Sequence, residues 1–88
     1  MEIIYSGKAR KDIEYWTLSG NVAIMNKIIT LLNDIAAHPF TGIGKPEKLK
    51  HNLSGNWSRR INEEYRIVYV VNEKKNETYI LAIRYYYK

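Results

Sequence analysis

The feature that most restricts the fold is a wide apolar stripe between Asn21 and Ala37. Its members recur three, four and seven positions apart, which is the spacing of one helix face. Asn21 is a favoured N-cap residue, and His38-Pro39 ends the pattern. A stripe this wide is not covered by one partner helix, so the chain also needs strands to cover it. The stripe consists of Met25, Ile28, Ile29, Leu32, Ile35 and Ala36.

The N-terminal region predicts a strand followed by a first helix. Glu2 to Tyr5 is a short apolar run, and Ser6 stands where a helix N-cap belongs. From Gly7 to Leu18 the apolar positions follow helical spacing, and Ser19-Gly20 ends the helix. The two helices therefore form a hairpin. The apolar positions of the first helix are Ala9, Ile13 and Trp16.

The C-terminal half predicts three strands, from Trp57 to Ile61, Tyr65 to Val71 and Tyr79 to Tyr87. They are rich in β-branched and aromatic residues and are separated by polar turns. Because adjacent strands joined by short turns run antiparallel, we expect an antiparallel twisted sheet backed by the helix hairpin. The predicted class is α+β, in the order β-α-α-β-β-β, as a single domain over residues 1–88.

The charge balance indicates an anionic partner. The net charge is +5 and the pI is about 9.5, which favours nucleic acid, an acidic protein segment or anionic lipid. There is no cysteine, and His38 and His51 lie far apart, so we expect neither a disulfide nor a metal site. No apolar run approaches the roughly 20 residues of a membrane span, and no export signal is recognisable, so we expect a cytoplasmic protein.

The segment from Gly42 to Arg66 carries the residues that chemistry on RNA requires. Cleavage by the 2′-hydroxyl of RNA needs a base, cations for the phosphorane and an acid for the leaving oxygen. Glu47 lies among lysines that favour its ionised form, and Arg60 and Arg66 can bind phosphate oxygens. The tyrosines of the last strand, Tyr85 to Tyr87, can donate a proton or stack on a base.

Each of these residues also has a purely structural interpretation. A glutamate among lysines is more often half of a solvated pair, and Arg59-Arg60 on a hairpin is usually surface. Tyrosines at a strand end mostly pack at the rim of a core, and His51 beside a turn is usually a surface residue. Arg66 differs because a cation inside an apolar strand requires a partner or a ligand.

The block PFTGIGKPEKLKHNLSGNWSRRINEEYRIVYVV closely resembles the central part of the YoeB toxins of the RelE/ParE superfamily. The resemblance extends over the opening strand, the first helix with DIEYW, the second helix and the ending RYYY. It implies a microbial-ribonuclease-like fold. It also implies a metal-independent and cofactor-free endoribonuclease that cuts mRNA in the decoding site of the ribosome.

The resemblance assigns roles to individual positions. Glu47 matches the general base and Arg66 the arginine that stabilises the phosphorane. The family ending RYHY is Arg84-Tyr85-Tyr86-Tyr87 here, so the expected acid is Tyr86, and EHR is Glu64-Tyr65-Arg66. Tyr86 is a weaker acid than the imidazolium it replaces. The residues expected to contact RNA or its phosphates are Lys45, Lys50, Arg59, Arg60, Tyr85 and Tyr87.

The resemblance also implies partners. These are mRNA on the ribosome, ribosomal RNA, an acidic antitoxin of YefM type and a second copy of the chain in a homodimer. The alternative function is an attenuated toxin that blocks the ribosome without cleavage. A gyrase-directed relative has no use for Glu47, Arg60 and Arg66 together, and a general basic RNA-binding module would bind RNA without the ribosome.

Overall fold

The computed structural model describes residues 1–50 and 55–86. The elements that it describes are β1 (Glu2–Tyr5), α1 (Gly7–Ser19), α2 (Val22–Ala37), β2 (Glu47–Lys48), β3 (Trp57–Arg60), β4 (Tyr65–Asn72) and β5 (Glu77–Tyr86). The predicted order holds, with the two-residue strand β2 as an addition before β3.

Side-chain caps set the helix boundaries where the sequence predicted them. Ser6 Oγ accepts the backbone N–H of Ala9 at 3.0 Å at the start of α1. Asn21 Oδ1 accepts the N–H of Ile24 at 3.1 Å at the start of α2. Gly20, with φ of 71°, ends α1 in the left-handed region that glycine adopts without strain. The two helices are therefore separated by only two residues.

The five described strands form one sheet in the order β1-β5-β4-β3-β2. The pairs β2–β3, β3–β4 and β4–β5 are antiparallel. The expectation of a wholly antiparallel sheet is wrong at one edge, where β1 pairs with β5 in parallel through Glu2↔Glu77 and Tyr5↔Ile80. No short turn joins these two strands, so turn chemistry does not determine their direction.

Both helices pack on one face of the sheet. Ile28, Leu31 and Ile35 of α2 are almost completely buried, whereas Ile29, which the sequence placed in the stripe, is 52% exposed. The buried face of α2 is therefore centred on Leu31, and it is rotated about the helix axis relative to the predicted face. Ile67 of β4 meets these helices in the core. Neither described helix has the length and apolarity needed to cross a membrane.

Candidate active site

Polar side chains from four strands meet on the sheet face opposite the helices. Directly opposed residues of an antiparallel pair share a face, so the register shows which residues belong together. The strands thereby bring the predicted base and two predicted phosphate-binding arginines together. One row across the sheet contains Glu47, Ser58 and Val68, and the next row contains Arg60, Arg66 and Tyr85.

Arg66 is the buried cation at the centre of this face, with 1% of its side chain exposed. Its Nη1 donates to Ser58 Oγ at 2.8 Å and lies 3.7 Å from Glu47 Oε2. The Glu47 side chain is 48% exposed, so one carboxylate faces both the buried guanidinium and solvent. This ion pair explains why a cation is tolerated inside an otherwise apolar strand.

The last two described residues of β5 are tyrosines on opposite faces of the sheet. Tyr85 is opposed to Arg66, and Tyr86 is opposed to Tyr65. The ring centroids of Tyr86 and Tyr65 are 5.7 Å apart, and the ring of Tyr65 also contacts that of Trp16 in α1. Of these two tyrosines, Tyr85 therefore shares a face with Arg66, and Tyr86 packs towards the helix side.

Arg59 does not contribute a phosphate-binding group, which corrects the sequence-based prediction. Side chains alternate along β3, so Arg60 points to the site while Arg59 points under the helices, where it is fully buried. All five of its N–H groups donate to acceptors of the protein. These acceptors are Asp34 Oδ2 at 2.6 Å, Tyr69 Oη at 3.0 Å, and the backbone oxygens of His38, Thr41 and Ile43.

The buried side chains of Arg59 and Tyr69 and the partly buried side chain of Asp34 form a cluster that we call the Arg59 clasp. Asp34 Oδ2 also accepts the backbone N–H of Ile43 at 3.2 Å, and Tyr69 Oη donates to the backbone oxygen of Pro39 at 2.6 Å. The hydrogen bond from Arg59 lowers the pKa of Asp34 below its usual range, and burial raises the pKa of Tyr69. The clasp thereby holds the loop that connects α2 to β2.

Two glycines let this loop pass close against α2. Gly42 and Gly44 have φ of 123° and 77°. A Cβ at residue 42 would lie 2.0 Å from Asp34 Oδ2, and one at residue 44 would lie 2.6 Å from Leu31 Cδ2. A side chain at either position would strain the backbone and displace the Asp34 or Leu31 side chain. The loop is thus held close to the body of the protein up to the strand that carries Glu47.

A shallow basic recess adjoins the site. It has a volume of about 360 Å³, and Lys27 of α2 joins Lys45 and Arg60 around it, together with Glu63. In the part of the chain that the structure describes, none of these three cations lies within 4.0 Å of a carboxylate oxygen. No sequence pattern pointed to Lys27, because it lies in a helix twenty positions before Glu47.

The remaining predicted site residues are less constrained. Lys50 is exposed at the end of the first described range, and Tyr87 and His51 lie outside the described residues. Ser58 was not predicted as a site residue, although its place in WSRR, two positions before Arg60, puts it on the same strand face. Its hydroxyl is completely buried against Arg66.

The sheet backed by two helices that carries this basic face is the fold of solved YoeB-type toxins. A family model described as the YoeB-like toxin of bacterial type II toxin–antitoxin systems matches residues 5–87. The chain therefore belongs to the YoeB-like toxin family, as the resemblance in the sequence implied.

Individual relatives agree over almost the whole chain. The YoeB toxin of Escherichia coli K12 is 47% identical over 99% of this chain and 100% of the relative. The YoeB/ParE toxin of Agrobacterium tumefaciens superposes with a TM-score of 0.90 at 33% identity, covering 99% of this chain and 100% of that one. The Staphylococcus aureus toxin, solved in a heterotetrameric YoeB–YefM complex and as a dimer, gives TM-scores of 0.83 and 0.84 at 41% identity, covering 99% and 98%.

Proposed function

We propose that this chain is a ribosome-dependent mRNA endoribonuclease that inhibits translation by cutting mRNA in the ribosomal A site. The observation that carries the proposal is the carboxylate of Glu47 at 3.7 Å from the buried guanidinium of Arg66. An acceptor for the 2′-hydroxyl proton and a cation for the phosphorane both have to reach the same phosphodiester linkage. Arg60, opposed to Arg66 in the sheet, supplies a second cation.

The ion pair suggests how substrate binding releases the Glu47 carboxylate to act as the general base. Because Arg66 is 1% exposed, a phosphate reaches its guanidinium only by replacing a neighbour, and Glu47 is the half-exposed neighbour. A phosphate oxygen that takes the place of the carboxylate releases Glu47 to accept the proton of the 2′-hydroxyl. The 2′-oxygen then attacks phosphorus, and the 5′-oxygen leaves, producing a 2′,3′-cyclic phosphate and a 5′-hydroxyl.

The leaving 5′-oxygen needs a proton, and tyrosines of β5 are the proposed source. The family pattern assigns the acid to Tyr86. Tyr85 has better support from the geometry, because it is opposed to Arg66 and shares its face. A phenol is protonated at neutral pH and can donate, although it is a weaker acid than an imidazolium.

The cations beside the site extend the proposed contact with RNA. Lys27 and Lys45 with Arg60 around the basic recess, and Lys50 beyond β2, would neutralise phosphates of ribosomal RNA or mRNA. Such contacts hold a protein on RNA without reading its sequence. Translating ribosomes are in the cytoplasm, so this is where we propose that the chain acts.

Two protein partners are part of the proposal. The Staphylococcus aureus relative is in complex with YefM in one structure and forms a dimer in another. We propose an acidic antitoxin of YefM type for this chain, because an acidic segment complements a surface with a net charge of +5. We also propose a homodimer.

The test is to incubate the protein with programmed ribosomes and map the mRNA 5′ ends. Wild type should produce new ends in A-site codons, and Glu47→Gln, which keeps the shape but not the base, should cut about 10²- to 10⁴-fold more slowly. Lys75→Ala, an exposed residue of the β4–β5 turn, is the control and should cut normally. New ends of equal intensity from Glu47→Gln would remove Glu47 from the mechanism.

The same experiment decides between cleavage and blockade. The placement of Tyr86 on the helix side of the sheet favours the alternative of an attenuated toxin that binds the ribosome without cutting. That protein would stop translation without producing new ends, and Glu47→Gln would inhibit as strongly as wild type.

Comparing Tyr85→Phe with Tyr86→Phe identifies the proton donor, since only loss of the true donor slows cleavage.

A further inference from the structure

The end of β5 contains a β-bulge beside the site. Arg66 is opposed to Tyr85, and Val68 is opposed to Ala82, so two residues of β5 stand opposite the single residue Ile67. These two residues are Ile83 and Arg84. A bulge of this kind withdraws strand amides from the ladder and re-aims the side chains that follow. The amides that are withdrawn need another acceptor.

Asp12 of α1 supplies that acceptor. Its Oδ2 accepts the backbone N–H of Ile83 at 2.9 Å and that of Arg84 at 3.1 Å. Asp12 is 4% exposed, and its other oxygen accepts from Lys8 Nζ at 3.0 Å. Trp16, one helical turn later, donates from Nε1 to the backbone oxygen of Ile83 at 2.9 Å. Asp12 and Trp16, on one face of α1, therefore bind two N–H groups and one carbonyl oxygen of the bulge.

The bulge decides which residue stands opposite Arg66. If β5 continued from the Val68↔Ala82 pair without the extra residue, Arg84 instead of Tyr85 would face Arg66. Arg84 would then add a third guanidinium group to the row that already contains Arg60 and Arg66, and like charges directly opposed in a sheet are destabilising. With the bulge, Arg84 lies on the helix side instead, its guanidinium 3.8 Å from the ring centroid of Tyr15.

We propose that Asp12 is a positioning residue of the active site. Its carboxylate holds the bulge at Ile83 and Arg84 and thereby keeps Tyr85, not Arg84, opposite Arg66. The proposal rests on the endoribonuclease function proposed above and extends it to a residue that contacts no substrate. The apolar pattern of α1 does not point to Asp12, because an aspartate on an amphipathic helix normally faces solvent.

The test compares three substitutions in the full chain on programmed ribosomes. Asp12→Ala removes the acceptor and should slow cleavage at saturating ribosomes about 10- to 100-fold, with ribosome affinity changed by less than about threefold. Asp12→Asn keeps an oxygen for both N–H groups and should stay within about threefold of wild type. Lys8→Ala removes the ion pair of Asp12 but not the bulge bonds and should cut like wild type.

A core variant controls for general loss of stability. Ile28→Ala removes core packing of α2, and Ile28 makes none of the side-chain hydrogen bonds that hold the bulge. The assay temperature is set well below the unfolding midpoint of every variant. Amide hydrogen exchange should speed up at Ile83 and Arg84 in Asp12→Ala but not in Ile28→Ala. Equal loss of cleavage in both variants, or a failure of Asp12→Asn to restore it, would overturn the proposal.

Failure of this proposal differs from failure of the proposed function. If wild type cuts and Asp12→Ala cuts equally fast, the role of Asp12 is refuted and the endoribonuclease function stands. If wild type produces no mRNA ends, the endoribonuclease function is refuted, and the positioning role falls with it.

Discussion

Two adjacent arginines of β3 have opposite surroundings. Arg59 is fully buried with five donated hydrogen bonds, whereas Arg60 is exposed beside the basic recess. The alternation of side chains along a strand puts neighbours on opposite faces, so a pair of cations in sequence need not be a pair in space. The motif WSRR thus contains one structural arginine and one arginine available to RNA.

Lysine substitutions should separate these two roles. Arg59→Lys retains the charge but has no planar fork of five donors, so acceptors of the loop lose their partners. We expect the free energy of unfolding to fall by about 2–4 kcal/mol. Arg60→Lys should change it by less than about 0.5 kcal/mol. Urea denaturation measures both, and equal losses would contradict the assignment.

At the scale of elements, the Arg59 clasp joins α2, β3 and β4 to the loop that leads to Glu47. The hydrogen bond from Arg59 lowers the pKa of Asp34, so the folded protein holds this carboxyl ionised more strongly than the unfolded chain does. The stabilisation that the ionised Asp34 carboxylate contributes is complete above the pKa of this group in the unfolded chain, about 4. It is lost as the pH falls through the lower pKa of the folded state.

The clasp therefore predicts an acid-sensitive stability that depends on one residue. Wild type should lose stability more steeply than Asp34→Asn as the pH falls from about 4 to about 2. At pH 7 the substitution should be destabilising, because it removes the charge that pairs with Arg59. Denaturant titrations at a series of pH values provide the measurement. Parallel curves for the two proteins would show that Asp34 does not carry the effect.

The elements themselves were largely readable from the sequence, whereas their long-range contacts were not. Local chemistry predicted the caps at Ser6 and Asn21 and the three C-terminal strands, because these depend on neighbours in the chain. The burial of Asp12 and Arg59 depends on partners 71 and 25 positions away. No periodicity within one helix or strand contains that information. The parallel pairing of β1 with β5 escaped prediction for the same reason.

At the site, too, the sequence predicted which residues take part but not every contact between distant strands. Residue chemistry made Glu47, Arg60 and Arg66 candidates, and resemblance to the family supported them. The strand register puts all three on one face. Simple alternation along β5 does not predict which sheet faces Tyr85 and Tyr86 occupy. The pairing of β5 with β4 shifts twice, once between Arg66 and Val68 and once between Val68 and Tyr69. A bulge moves each following side chain to the other face, and the residues of a bulge have no distinctive sequence.

At the scale of the molecule, the excess of positive charge should act locally and not as a uniform field. Lys45 lies at the basic recess, whereas Lys75 lies in the turn between β4 and β5. Each phosphate contact that is lost should reduce the slope of log affinity against log salt by about 0.7 to 0.9. Lys45→Ala and Lys75→Ala change the net charge equally, so the pair separates a contact from general attraction.

The prediction is that ribosome binding by Lys45→Ala weakens and loses about one unit of salt slope, whereas Lys75→Ala keeps the wild-type slope. Binding measured between about 50 and 200 mM potassium chloride gives both values. If the two variants lose slope equally, the charge of the whole surface drives association. A loss confined to Lys45→Ala would instead mean that RNA lies along the recess that leads from α2 to Arg60, beside the carboxylate of Glu47.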